Sequence, residues 1–209
     1  LIVATLAPFD PSDPHIGVSF NYLAQSLPYP LDTIPRGWGQ LHKQSDALKV
    51  VPFNKEFNQE ILQVSGLKAG KYKLLMDGEQ VGAYDASELG AGINLAENTR
   101  TPEYQQAIQI REMNEERWDI ERRTRMYAWM NYDFLKGKGL LYKDSNAAMD
   151  SVNAFAAGNI FVAGNRDNYT RSRYKALREV WQQEQDVLIN KIYEINKPQL
   201  HKVTIVAAR

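Results

Sequence analysis

The sequence predicts an α+β fold: a small antiparallel β unit with a hairpin near 71–85, one long helix, two further helices, and a C-terminal strand that returns to the sheet. Three observations carry this reading. KYKLLM and QVGAYDA flank Asp77-Gly78, and Asp-Gly between apolar-rich runs is among the strongest short hairpin signals. From Tyr104 to Phe134 apolar residues recur at mostly helical spacing. After the last helical pattern, closed by Pro198, HKVTIV (His201 to Val206) reads as a strand, and the sheet is the simplest place for it to go.

Residues 1–48 form an irregular, linker-like segment with short strands. LIVATL (Leu1 to Leu6) is β-branched-rich, and the prolines of APFDPSDPH break it. Val18, Phe20 and Tyr22 alternate as a half-buried strand does. Pro28, Pro30 and Pro35 then exclude a central strand or helix.

Residues 49–100 form the small β unit. Ile61, Leu62 and Val64 precede a turn at Gly66, and the hairpin follows. SELGAG is one helical turn stopped by glycine, and INLA is a short extended exit.

Residues 101–209 hold the helices and the last strand, and are expected to pack with 49–100 as one domain. Thr101-Pro102-Glu103 opens the long helix: a threonine cap, a proline at the first helical position, and a carboxylate near the positive end of the dipole. Asp119 with Arg123 and Glu121 with Arg125 have the favourable acid-first order, and Gly137 or Gly139 should end the helix. A second helix starts near Ser145 and ends at Gly158, NIFVAGNRDNYTRS reads as a connection, and the last helix runs from about Thr170 to Ile195. Tyr174, Leu177, Trp181, Val187, Leu188, Ile192 and Ile195 share its apolar stripe.

Charge and composition narrow the function classes. The chain has 25 basic and 25 acidic residues, which gives no basic footprint for nucleic acid or an anionic membrane. No apolar run approaches the length of a membrane span, so no span is expected. The absence of cysteine excludes disulfides, thiol catalysis and thiolate metal sites. The first residue, Leu1, falls within an apparent strand, so the natural start is expected to lie elsewhere and a missing leader says little about export.

Candidate chemistry is sparse. His15, His42 and His201 are far apart, and no His-Glu-x-x-His or related spacing points to zinc. Asp10, Asp13 and His15 lie close together, and an Asp–His pair can orient a base for a serine. A proline-rich surface loop accounts for them more simply. EERWDIERR spreads its carboxylates round one helix, whereas glycosidase carboxylates converge across a bond, so it reads as an ion-paired solvated face. Tyr127, Trp129, Tyr132 and Phe134 fit core or interface packing, with a carbohydrate-stacking platform as the rival. Asn168-Tyr169-Thr170 is a glycosylation triplet without an exported context. No nucleophile elbow, phosphate loop or dinucleotide fingerprint is present.

The order of motifs carries more than their content. L-x-V-x-G-L-x-x-G-x-Y-x-L-x-x-D-G (Leu62 to Gly78), then S-E-L-x-x-G-I-N-L (Ser87 to Leu95), then the helix from Thr101 to Trp118 and the KPxxHxVTIV strand (Lys197 to Val206), resemble the C-terminal region of bacterial SGNH/GDSL-type hydrolases, of lipase or acylhydrolase kind. VSFNYLAQSLPYPLD (Val18 to Asp32) is similar to the segment that follows the catalytic domain in that family. The resemblance implies that a Gly-Asp-Ser-type nucleophile and an Asp-x-x-His pair lie upstream, in an α/β domain. Asp13-Pro14-His15 has the wrong spacing, so no catalytic, cofactor or metal residue is assigned to this chain. The expected role is an accessory region of an ester hydrolase acting on acyl or acetyl groups, with carbohydrate esters as candidate substrates. Its partner would be the upstream hydrolase domain, its setting the bacterial periplasm or exterior, and an oligomer is compatible with it. The rival is a non-catalytic cell-surface module for assembly or glycan binding, and a third reading is a complete enzyme using Asp13 and His15.

Overall fold

Asp77 and Gly78 both take positive φ, 51° and 91°, which is the backbone signature of the two-residue turn their sequence calls for. Lys71–Met76 and Glu79–Asp85 pair antiparallel across it. The computed structural model that contains this hairpin describes residues 2–5, 17–31 and 43–208. Two compact units divide the chain: Leu1–Arg111 with Ile195–Arg209, and Glu112–Glu194.

In the first unit, in chain order, the strands are β1 (Ile2–Thr5), β2 (Gly17–Leu23), β3 (Ile61–Ser65), β4 (Lys71–Met76), β5 (Glu79–Asp85), β6 (Ile93–Asn94) and β7 (Leu200–Ala207), with short helices α1 (Phe53–Glu56) and α2 (Ala86–Ala91). The C-terminal strand does return to the sheet: β7 lies between β2 and β4 in an antiparallel sheet ordered β2-β7-β4-β5. A second sheet, ordered β1-β3-β6, was not foreseen; β1 runs parallel to β3, and β6 antiparallel to it. Both sheets fill one core. Leu62 and Val64 from β3 meet Leu74, Met76, Val81, Val203 and Ile205 from the other sheet, with Leu89 and Leu95 beside them. Burying each such side chain is worth about 1.5–3 kcal/mol.

The long helix α3 (Pro102–Trp129) starts as expected: the Thr101 hydroxyl accepts from the Tyr104 N–H at 3.3 Å and donates to the Asn98 carbonyl at 3.0 Å. One turn on, the Gln106 amide donates to the carbonyls of Ile195 and Lys197 at 2.6 and 2.8 Å, tying this turn to the approach to β7.

In the second unit α3 continues into a π-helical segment at Met130–Leu135 and a 3-10 turn at Lys136–Lys138, and left-handed Gly139 stops it. Buried Asn131 fits this change of pitch, because its amide donates to the Tyr127 carbonyl and its Oδ1 accepts from the Tyr142 N–H. Three helices follow: α4 (Asn146–Ala156), α5 (Ile160–Ser172) and α6 (Lys175–Ile195). Ser145 caps α4 as the sequence indicates.

The expected connection NIFVAGNRDNYTRS is instead helix α5, and the last helix begins at Lys175 rather than Thr170. The Asn159 side chain caps α5 by accepting from the N–H groups of Phe161 and Val162, and Val162, Tyr169 and Ser172 are buried. So narrow an inward stripe leaves little periodic signal, and packing decides the conformation. Asp119 pairs with Arg122, not Arg123, whose guanidinium lies 5.7 Å over the Trp181 ring; Glu121 does pair with Arg125, and also with Arg117. On the expected stripe of α6, Trp181 is buried whereas Tyr174 and Val187 are exposed.

Candidate functional site

Residues 22, 60, 77, 103 and 201, from five separate parts of the chain, build a polar cluster in the first unit, with Glu103 and His201 buried, Tyr22 and Glu60 half-buried and Asp77 exposed. The register places Tyr22 of β2 opposite His201 of β7. The hairpin turn then clasps β7. The Asp77 N–H donates to the Lys202 carbonyl at 2.8 Å, and Asp77 Oδ1 accepts from the Lys202 N–H at 2.8 Å. Asp77 Oδ2 lies 2.6 Å from His201 Nδ1, which places the proton of a neutral imidazole on Nδ1. Hydrogen bonds from His201 and then from Lys202 hold the Asp77 carboxyl below its ordinary range.

Behind the histidine the environment reverses. Glu103 is 0% exposed, and neither of its oxygens has a hydrogen-bond partner; His201 Nε2 and Glu60 Oε1 are likewise buried and unpartnered. Burial pushes the Glu103 carboxyl up, against the opposing pull of its own backbone N–H and of His201. Burial also raises Glu60, whose hydrogen bond with Tyr22 lowers it in part, while the charge of Glu103 raises it further. The Tyr22 phenol is pushed up by burial first, and then by Glu60. Burial disfavours the charged form of a carboxyl, and in both glutamates it outweighs the groups that favour that form.

Tyr22 and Glu60 also line a cleft of about 340 Å³, together with Tyr29, Phe53, Phe57 and Asn58. Its wall is stapled by two asparagines. Asn58 Nδ2 donates to the Tyr29 carbonyl at 3.1 Å and Asn58 Oδ1 accepts from the Tyr29 N–H at 2.9 Å. Asn94 Nδ2 donates to the Asn58 carbonyl at 2.9 Å, and Asn94 Oδ1 accepts from the Glu60 N–H at 2.9 Å. Tyr29 meets Phe53 edge-on at 5.6 Å between ring centroids.

The second unit has its own polar network. Asp144 Oδ2 accepts from the Tyr127 hydroxyl at 2.8 Å and from Arg178 Nη1 at 3.2 Å, and the Arg178 guanidinium lies 4.2 Å over the Tyr127 ring. Tyr127 stacks on buried Tyr169, whose phenol is pushed up to about 12, first by burial and then by Asp144. Trp129 and Phe134 pack against the core of this unit, whereas Tyr132 and Tyr142 are half exposed, with centroids 5.6 Å apart in an edge-on pair.

Asp10, Asp13, His15 and His42 lie outside the described residues. His201, the remaining histidine, turns one ring nitrogen to Asp77 and buries the other, so neither faces a substrate. Among the described residues no group of three or more His, Asp or Glu side chains is placed to hold a metal ion. From the sequence, Tyr22 had a place on a half-buried strand, Asp77 in the hairpin turn and Glu103 at the helix start, and neither they nor Glu60 stood out as site residues. The usable signals were the hairpin aspartate and a polar Tyr–His pair on strands that otherwise face a core.

Residues 108–197 match the family described as the diltiazem deacetylase C-terminal helical domain. A solved structure, that of a gut microbial diltiazem-metabolizing enzyme, is 46% identical, with a TM-score of 0.82, over 92% of this chain and 43% of that one. The present chain therefore spans less than half the length of that enzyme. No curated protein matches.

Proposed function

We propose that this chain is the C-terminal accessory region of an ester hydrolase of the deacetylase kind, with nucleophile and base outside these 209 residues. One observation carries the reading: 46% identity over 92% of the chain, against only 43% of the diltiazem-metabolizing enzyme. The geometry of His201 agrees with it, because a general base must present a free nitrogen to the proton it removes. The SGNH/GDSL type rests on the ordered motifs at Leu62–Gly78 and Ser87–Leu95. On this reading the region fixes the neighbouring catalytic domain and shapes the approach to its cleft. The ester would be an acetyl or acyl ester, diltiazem by analogy with the relative or an acylated sugar, and the setting the bacterial periplasm or exterior.

The test compares the 209-residue chain with a product extended through the upstream reading frame, using p-nitrophenyl acetate and diltiazem. Turnover is expected from the extended product alone. Turnover by the short chain, lost on His15→Ala, would instead establish the complete-enzyme reading.

A second reading is favoured by the exposed edge-on pair Tyr132–Tyr142: a glycan-binding module. Glycan-array binding that is lost on Tyr132→Ala supports it, and an array without signal removes it. Trp129 is a poorer contact, being packed on the core.

A further inference from the structure

From Ser151 to Asn165 the chain contains no charged residue. This run forms the end of α4, the turn at 157–159 and the start of α5, and the two helices pack on one another. The inward positions of the hairpin are filled, because Val152 and Val162 are fully buried in the core of the unit. The outward ones are not polar. Phe155, Ile160 and Phe161 are 47%, 75% and 66% exposed, and Ala154, Ala157 and Ala163 around them are exposed too. Since the Asn159 cap satisfies the α5 N-terminus, backbone chemistry leaves the choice at 160 and 161 free, and both are large and apolar.

Cations reach this tip. Lys138 Nζ lies 3.9 Å from the Phe155 ring centroid and 5.2 Å from that of Phe134, and these two rings meet edge-on at 5.1 Å. Exposed Lys136, two residues earlier in the chain, lies 6.0 Å over the Tyr132 ring. The charged residues that bound the run in sequence are Asp150 on α4 and Arg166 on α5, the latter paired with Asp167.

We propose that the α4–α5 tip docks onto a lipid–water interface that carries anionic headgroups. Phe155, Ile160 and Phe161 enter the boundary between headgroups and acyl chains, and Lys136 and Lys138 meet the phosphates. An exposed apolar tip with a lysine laid against its Phe155 ring and a second two residues away has the composition of an interfacial anchor, in which lysine stems lie along apolar surface while the ammonium groups stay at polar depth. Pairing with a second copy fits less well, since a two-fold contact through this tip sets one pair of lysines against the other. No helix among the described residues is long and apolar enough to cross a membrane, so the contact is with the surface. The inference does not depend on the ester-hydrolase reading, because it is read without substrate.

The 209-residue chain is sedimented with vesicles of phosphatidylcholine alone or with an equal share of phosphatidylglycerol. Binding to the mixed vesicles is expected, and Ile160→Ser with Phe161→Ser should weaken it about tenfold or more. These positions are exposed, so the thermal melt of that variant should match the parent's. Lys136→Gln with Lys138→Gln should remove most of the preference for the anionic vesicles, about fivefold per lysine, as should added salt. Absence of binding to either vesicle, or binding indifferent to composition or to the Ile160/Phe161 change, overturns the proposal. So does a concentration-dependent dimer that the same change abolishes while vesicles are ignored.

Discussion

A carboxyl group taken wholly out of solvent costs most when it is charged, and Glu103 is held in that situation by its place in the first turn of α3. Because burial raises its folded pKa, its cost is absent while it is protonated, and stability is lost as pH rises from the unfolded carboxylate value through the raised one. Glu60 contributes with the same sign. Asp77 has the opposite sign: its folded pKa is depressed, so its contribution is present above the unfolded value and is lost as pH falls through the lower one. The first unit should therefore lose stability on both sides of a mildly acidic optimum. Glu103→Gln should raise stability more at pH 8 than at pH 5, measured by urea unfolding. Parallel curves for parent and variant would show that the buried carboxyl carries no such cost. Asp77→Ala should cost about 1–2 kcal/mol, with Asp77→Asn between it and the parent, since asparagine tolerates the left-handed turn and still accepts from Lys202. Nitrogen chemical shifts of His201 should show the Nδ1–H tautomer in the parent and a mixture in Asp77→Ala.

Elements differ in how much of their cause is local. The β4–β5 hairpin was legible because Asp77-Gly78 alone fixes its turn, and Gly78→Ala, forced to φ +91°, should cost about 1 kcal/mol. The start of α3 was legible for the same reason, as Thr101 and Pro102 act on their own turn. Helix α5 was not, since its reason to be helical is what Val162 and Tyr169 pack against, and an outer face that is apolar at Ile160 and Phe161 and polar from Arg166 on blurs that stripe. The polar cluster was hidden more deeply: positions 22, 60, 77, 103 and 201 share no spacing; the pairing of β2, β4 and β7 brings Tyr22, Asp77 and His201 together, and Glu60 and Glu103 arrive from the approach to β3 and the first turn of α3. In the second unit the link between π-helix, loop and α6 is also tertiary, and it runs through Asp144. Asp144→Ala takes the acceptor from the Tyr127 hydroxyl and the counter-charge from a partly buried Arg178, which keeps the Ser172 carbonyl, and should cost about 2–3 kcal/mol, whereas Tyr127→Phe should cost about 1. Equal losses for the two changes, read by denaturant titration, would mean that the arginine gains nothing from Asp144.

At the scale of the whole molecule, two independent delimitations nearly coincide. The compact unit Glu112–Glu194 is defined by contacts in space, and the related helical domain, 108–197, by sequence. The core of this unit, from Tyr127, Met130 and Leu135 to Val152, Val162 and Tyr169, is drawn wholly from within it. Its principal side-chain network, Tyr127–Asp144–Arg178, is internal as well. A segment that contains its own core has the main thing folding requires, even though a chain of this size buries a modest share of its surface. Residues 108–197 expressed alone should therefore give a helical circular-dichroism spectrum and a single cooperative melt, which Asp144→Ala lowers as it does in the full chain. A broad, non-cooperative melt would mean that the first unit supplies stability which the internal core does not. In that case the boundary near 111 would mark a change in packing along α3 rather than the edge of an independent domain.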